Sequence, residues 1–425
     1  MKKIMIMAGS YYPKPMANGI CVHQIALALK KIGYEVHIIC FNKKGDKKEE
    51  EFEGVFIHRV KMRLFFKMRF YAEDQIDTWH GKLIYRTAML LNKFKKILYL
   101  PLYPMTSPLF IYRYYIRSKE IHKEQNFDMI LSVYNPLEAL VAGTMMKKRY
   151  KDIKLGLYVL DSLTNGSKRE FLPKSWTEKK GWQWERIFYS MSDVIFNMRC
   201  HEEHHKKSRY DKYREEMKIV DIPLFRTLNQ GFHKQTKILD YGSFNWIYTG
   251  TLRMRNYNPW YAIKIFNIIQ EKRKKMKFHF FSRGDCEEKL MEYERITEGA
   301  IVRHGFVESE ISISAIMESD ILISVGTSDS SMIPSKIFEY MSTGKPIIHF
   351  YKQENDVCLQ YYNMYPLAIC IKEDDELLRN NAEKIFAFID DIKGRKVKFS
   401  DIKDRFVMNT PEYTTSIIDG IVDNK

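Results

Sequence analysis

Four short segments in the second half of the chain collect the residues best suited to hold a phosphorylated ligand. They are Gly250-Thr251-Leu252-Arg253-Met254-Arg255, Ser282-Arg283-Gly284, His304-Gly305-Phe306 and the stretch from Gly326 to Ser335. Guanidinium groups pair with phosphate oxygens through two parallel hydrogen bonds, and glycine lets backbone N–H groups approach an anion. Each segment alone reads as an ordinary turn between a strand and a helix. Four of them at successive strand ends suit a diphosphate.

The most informative run is SSMIPSKIFEYMSTGKPIIHF, from Ser330 to Phe350. Ser335 or a neighbour is placed to cap a helix, and Pro334 suits its first turn. Ile337, Tyr340 and Met341 share one face, which puts Glu339 near mid-helix with Lys336 one turn before it. On spacing alone, Glu339 is as well explained by a pair with Lys336 as by a ligand.

The elements that must position these groups alternate from the first residue. Ile4 to Ala8 reads as a strand, Gly9 to Gly19 as a loop, and the following segment, with Ile20, Ile25, Leu27, Ala28, Leu29 and Ile32, as a helix closed by Gly33. Glu35 to Phe41 and Val55 to Val60 are further strands, as are Phe127 to Val133, Lys154 to Leu160 and Asp193 to Met198. The regularity fails over 221–245, where Pro223, Gly231 and Gly242 mark a linker. It restarts with strands at 246–248, 278–281, 301–306, 320–325 and 346–350 and helices between them, including 309–318 and 334–343. Gly344 suits a helix C-terminus. The fold class is α/β, with two doubly wound units. The expected divisions are an N-terminal domain over 1–220 with a helical insertion near 61–120, the linker, a second domain over 246–405 that carries the four phosphate-suited segments, and a final helix over 406–425.

Bulk properties exclude several classes. The chain has 425 residues, 45% of them hydrophobic and 29% charged, which suits two globular domains. The six cysteines, Cys21, Cys40, Cys200, Cys286, Cys358 and Cys370, form no CxxC pair, which argues against a zinc site and for reduced thiols. The opening MKKIMIMAGS has too short an apolar core for a secretory signal, and no apolar stretch approaches the roughly 20 residues of a membrane span. A cytoplasmic protein is expected. The net charge is +16. Between Lys61 and Lys119, twelve Lys/Arg face three acids, interleaved with aromatics such as Phe65, Phe66, Trp79 and Phe94. Basic residues mixed with aromatics favour an anionic membrane surface, here the inner face of the plasma membrane, although a solvated helical face explains the same charge. Zinc-finger spacing, an RNP motif and a Gly-rich nucleic-acid loop are absent, so no nucleic-acid partner is expected. The first βα loop lacks G-x-G-x-x-G, which weighs against a dinucleotide dehydrogenase.

The run Pro334-Ser-Lys-Ile-Phe-Glu-Tyr-Met-Ser-Thr-Gly-Lys-Pro-Ile-Ile348 resembles the donor-site helix of GT-B glycosyltransferases, closest to the retaining group called glycosyltransferase family 4, in members that build bacterial surface polysaccharides. Tyr11-Tyr12-Pro13-Lys14-Pro15 with Ala17-Asn18-Gly19, Tyr248-Thr-Gly-Thr-Leu-Arg253 with Asn258-Pro259, Tyr158-Val-Leu-Asp161 and Ile222-Pro223 are similar to further stretches of that family. The likeness covers most of the chain and is weak over 61–120.

The resemblance implies two Rossmann-like domains facing a central cleft and transfer of a sugar from a nucleotide sugar, UDP- or GDP-linked, to a glycan or lipid-linked acceptor with retention. Glu339 would hold the donor ribose, and Arg253 or Arg255 would neutralise the leaving diphosphate. Donor contacts are implied for Asn18 and Gly19 from across the cleft, for Gly250, Thr251, Arg283 and Gly284, and for Ser330, Ser331, Met332, Ile333, Pro334, Ser335 and Lys336. Asn135 and Asp161 fall on the acceptor side. The nucleotide sugar is a substrate; no cofactor is implied, and without an Asp-x-Asp motif no metal on the diphosphate. Two positions depart from the family pattern. Many members have two glutamates separated by seven residues, and the first falls at Ser331, with Asp329 nearby; a lysine six residues after the strand-end glycine is replaced by Asn256, beside Arg255. A nucleotide-sugar epimerase of the same architecture, or a binding-only member, are the alternatives.

Overall fold

The computed structural model describes the chain apart from residues 14, 44, 76–77, 105–106, 165–171, 228–237, 328–332, 393 and 424–425. It divides into two compact units. The first comprises Met1–Pro223 and Thr410–Lys425, and the second Leu224–Asn409. The passage between them at 223 and 224 falls inside the expected linker, part of which, 228–237, lies outside the described residues.

The first unit is built on β1 (Lys3–Met7), β2 (Glu35–Phe41), β3 (Glu49–Phe52), β4 (Val55–Val60), β5 (Met129–Tyr134), β6 (Lys154–Val159), β7 (Val194–Met198) and β8 (Met217–Val220). Their order across the sheet is β3-β4-β2-β1-β5-β6-β7-β8. All neighbours are parallel except the β3–β4 hairpin. A parallel sheet covered on both faces needs apolar residues at every position, not at alternate ones. In β1, Ile4 and Ile6 enter one core while Met5 and Met7 enter the other. The helix Pro411–Asp423 packs on the helix Ala17–Lys31, and its Ile418 and Val422 complete the first of these cores. Asp419 accepts hydrogen bonds from Lys2 and from the Tyr34 hydroxyl, both at 2.7 Å.

Three helices, Leu64–Glu73, Trp79–Leu98 and Pro108–Gln125, occupy the basic aromatic region. The charged hairpin strand β3 and the edge strand β8 have no apolar run to announce them.

The second unit contains β9 (Phe244–Leu252), β10 (Met276–Gly284), β11 (Ile301–Arg303), β12 (Ile321–Val325), β13 (Ile347–Tyr351) and β14 (Ala368–Lys372), in the order β11-β10-β9-β12-β13-β14. Every pairing is parallel. Counted within the unit the order is 3-2-1-4-5-6, the Rossmann arrangement. The direction of winding reverses between β9 and β12. The helix expected over 334–343 is shorter, Lys336–Ser342, and Ser335 stands at its cap position without a side-chain capping bond. Gly344 follows with φ of +72°, the left-handed conformation that ends the helix.

Candidate functional site

In a doubly wound sheet, ligands sit beyond the carboxyl ends of the strands where the winding reverses. In the second unit that place lies between the exits of β9 and β12. β12 pairs with β9 only at Ile321 with Trp246 and Leu322 with Ile247, so the two strands part before their ends. The Thr249 amide, which faces the gap, donates instead to the Tyr340 hydroxyl at 2.8 Å. Tyr340 belongs to the helix that carries Glu339. One buried hydrogen bond thus moors the Glu339 helix to the last turn of β9 before Gly250.

On the other side, β10 follows β9 through nine register pairs that end at Thr251 with Arg283 and Leu252 with Gly284. Gly284 has φ of +136°, and a Cβ there would stand 1.9 Å from the Leu252 carbonyl oxygen. No other residue type permits this approach, so the two strand exits touch. The chain after β9 folds into a small hairpin, with the Arg253 amide donating to the Tyr257 carbonyl at 2.8 Å and the reverse bond at 3.0 Å. Met254, Arg255 and Asn256 form its tip. The Asp285 carboxylate accepts the Met254 amide at 2.7 Å and ties the tip to the end of β10.

Arg253, Arg255 and Arg283 are all exposed on this rim. The Arg283 Nε lies 3.4 Å from Thr251 Oγ1, and its guanidinium stacks 5.0 Å from the centre of the Phe306 ring, which joins the loop after β11 to the group. Three of the four expected segments therefore meet side by side, and Tyr340 holds the helix that follows the fourth. Ile333, Pro334, Ser335 and Lys336 are half-buried at its start. Ser330, Ser331, Met332 and Asp329 lie outside the described residues. Glu339 is half-buried and its Oε2 pairs with Lys336 Nζ at 2.7 Å. The sequence pattern gave no sign of the roles of Tyr340 and Asp285. Tyr340 reads there as one more apolar-face residue, and Asp285 is not singled out.

In the first unit the winding reverses between β1 and β5. The loop after β1 runs into the helix at Asn18 and Gly19, and the exposed Asn135 follows β5, its carbonyl oxygen 3.1 Å from where a Cβ of Gly9 would lie. Asp161, also exposed, follows β6. These residues share the carboxyl edge of one sheet. A cavity lined by Phe244, Asp320, Lys345 and Pro346 opens at the start of β9, β12 and β13, the edge opposite the arginine rim.

No protein-family model and no curated protein sequence matches the chain. Solved structures do match it from end to end. The E. coli trehalose-6-phosphate protein bound with UDP-2-fluoro glucose aligns over 100% of this chain and 99% of its own, with a TM-score of 0.58 at 9% identity. The chain has the GT-B fold. TarM aligns equally fully, with a TM-score of 0.57 at 9% identity. A putative UDP-N-acetylglucosamine 2-epimerase from Listeria monocytogenes covers 100% of this chain and 96% of its own, with a TM-score of 0.57 at 13% identity. At these identities the likeness is one of fold. Among these neighbours one is described as a putative epimerase and one as bound with a UDP-sugar.

Proposed function

We propose that this GT-B chain is a glycosyltransferase of the retaining family 4 type that moves a sugar from a nucleotide-sugar donor to a glycan or lipid-linked saccharide in surface-polysaccharide biosynthesis. The observation that carries the reading is the rim of Arg253, Arg255 and Arg283 on touching strand exits, beside the reversal point to which Tyr340 moors the Glu339 helix. Breaking the bond between sugar and diphosphate puts negative charge on the leaving group. Fixed guanidinium groups and backbone N–H groups stabilise that charge without reorganising. Arg253 or Arg255 takes this role, with Arg283 beside them. Glu339, held by Lys336, accepts hydrogen bonds from the ribose hydroxyls. The leaving phosphate takes the acceptor proton in a front-face displacement, so no separate base is assigned.

The same reading includes a membrane surface. Trp79, Leu83, Leu90, Phe94 and Ile97 repeat at helical spacing along the helix Trp79–Leu98 and are all exposed. The helix also carries Lys82, Arg86, Lys93, Lys95 and Lys96 and no acid. An apolar stripe flanked by cations suits an anionic bilayer surface. Among the described residues no helix is long and apolar enough to cross a membrane.

A panel of UDP- and GDP-linked sugars tested by thermal denaturation decides the donor, because a ligand that binds only the folded chain raises its melting temperature. No shift with any nucleotide sugar overturns the reading. The epimerase neighbours favour a second one. Incubation with donor alone separates the two: a changed sugar configuration on the recovered nucleotide identifies an epimerase, and an unchanged donor that is consumed only with acceptor identifies a transferase.

A further inference from the structure

Behind the exit of β12, three side chains from separate positions converge in the interior of the second unit. His349 on β13, Asp356 after it and Cys358 are all buried, and Nε2, a carboxylate oxygen and Sγ lie within 4.8 Å of one another. His349 is wholly buried and the Asp356 side chain only 2% exposed. His349 Nε2 and Asp356 Oδ2 face each other at 3.6 Å, too far for a good hydrogen bond, and among the described residues neither has another hydrogen-bond partner. Two buried polar atoms without partners are costly unless something binds them.

The remaining atoms of both groups are anchored. His349 Nδ1 lies 3.0 Å from Ser324 Oγ. If the ring N–H is directed there, the Nε2 lone pair points into the cluster. Asp356 Oδ1 accepts the Cys358 amide at 2.8 Å, which leaves Oδ2 free. An outer hydrogen bond that fixes the ring and the carboxylate is the usual support of a metal ligand. Gly326, the first residue after β12, makes the room: a Cβ there would stand 2.5 Å from Asp356 Oδ2. Cys370 is the register partner of His349 on β14 and puts a second thiol on the same sheet face.

We propose that His349, Asp356 and Cys358 form a binding site for a zinc-class divalent transition ion beside Gly326. A mixed nitrogen, oxygen and sulfur set suits zinc better than magnesium or calcium, which prefer oxygen alone. A tetrahedral ion with ligands at about 2.0–2.3 Å sets them about 3.3–3.8 Å apart, so a cluster within 4.8 Å needs to close by no more than about 1.5 Å. Binding replaces the Cys358 S–H bond by a metal–sulfur bond and releases the proton to solvent. Burial, and then the Asp356 carboxylate beside it, push that thiol well up from its ordinary range, and a divalent charge reverses the preference. The ion joins β13 to the turn that follows it, a structural role independent of the nucleotide-sugar reading. CxxC spacing could not reveal the site, because its ligands are one residue of β13 and two of the turn that follows it, with a single cysteine among them.

The test is a Co²⁺ titration of the full chain, stripped with a chelator and kept reduced. The expected result is uptake of one equivalent with tetrahedral d–d bands and a thiolate-to-cobalt charge-transfer band, displaced by Zn²⁺ and accompanied by proton release. Cys358→Ser abolishes the charge-transfer band, Ser324→Ala weakens binding about tenfold, and Cys286→Ser changes neither. No stoichiometric uptake by the wild-type chain overturns the proposal, as does an undiminished charge-transfer band in a folded Cys358→Ser. The wild-type titration decides the question even where a variant fails to fold, and nucleotide binding plays no part in it.

Discussion

The Tyr340 hydroxyl accepts the Thr249 amide at 2.8 Å, in the place where β12 has already left β9. The bond closes the reversal point of the sheet and sets the position of Glu339, the next residue along the helix from Tyr340. Thr249 Oγ1 lies 3.1 Å from the same hydroxyl, so two polar groups depend on it. Tyr340→Phe keeps the ring and removes only the hydroxyl with its two contacts to Thr249. The expected loss of stability is about 1–3 kcal/mol, the cost of leaving a buried amide unpaired, measured by urea denaturation. Donor KM is expected to rise in the same variant. An unchanged stability and KM would show that the helix is held by its apolar contacts alone.

Glu339→Ala is expected to weaken nucleotide-sugar binding strongly while leaving the fold intact, since the side chain is half-buried and bonds to Lys336 on its own helix. Calorimetric titration with the nucleotide sugar found by the thermal panel checks it. Equal affinity in wild type and variant removes Glu339 from the donor site.

Arg253→Ala and Arg255→Ala are expected to differ. Arg253 sits in the paired stem of the small hairpin and Arg255 at its tip. One of them neutralises the leaving diphosphate, and its loss lowers kcat by about 10²–10³, as removal of one preorganised transition-state donor does. The other lowers it little. Single-turnover rates for both variants decide the assignment; full activity in both places the diphosphate elsewhere.

Flotation with vesicles containing anionic lipid is expected to carry the protein at low salt and to lose it at high salt. Leu90→Glu combined with Phe94→Glu, both on the exposed stripe, is expected to abolish flotation without altering thermal stability. Binding that survives the double change would mean that charge alone, not the apolar stripe, holds the surface.

Acid is expected to destabilise the chain from about pH 6.5 downward. Burial lowers His279 to about 3 and His205 to about 3, so both stay neutral in the fold well below the pH at which an exposed histidine protonates. The unfolded chain then binds protons that the folded chain refuses. The stability is fully present above about pH 6.5 and falls as pH drops toward the folded values, by up to about 1.4 kcal/mol per pH unit for each such histidine. Urea midpoints at several pH values between 7.5 and 5 measure the slope; a flat profile contradicts it.

The sequence by itself determined the two α/β units, most of their strands, and the segments that come together on the arginine rim. Those features depend on local pattern: continuous apolar runs for strands covered on both faces, and Gly with Arg where a strand ends. The hairpin strand β3 and the edge strand β8 are not legible, because strands with charged residues lack that pattern; β14 carries the apolar run Ala368-Ile369-Cys370-Ile371 and is not singled out. Only the tertiary structure decided that Tyr340 bridges to Thr249, that Asp285 ties down the Arg253 hairpin, and that His349, Asp356 and Cys358 share one buried space. The first two depend on which elements lie side by side, set by the packing of the whole sheet and not by spacing along the chain; the third depends on how the turn after β13 folds against that strand.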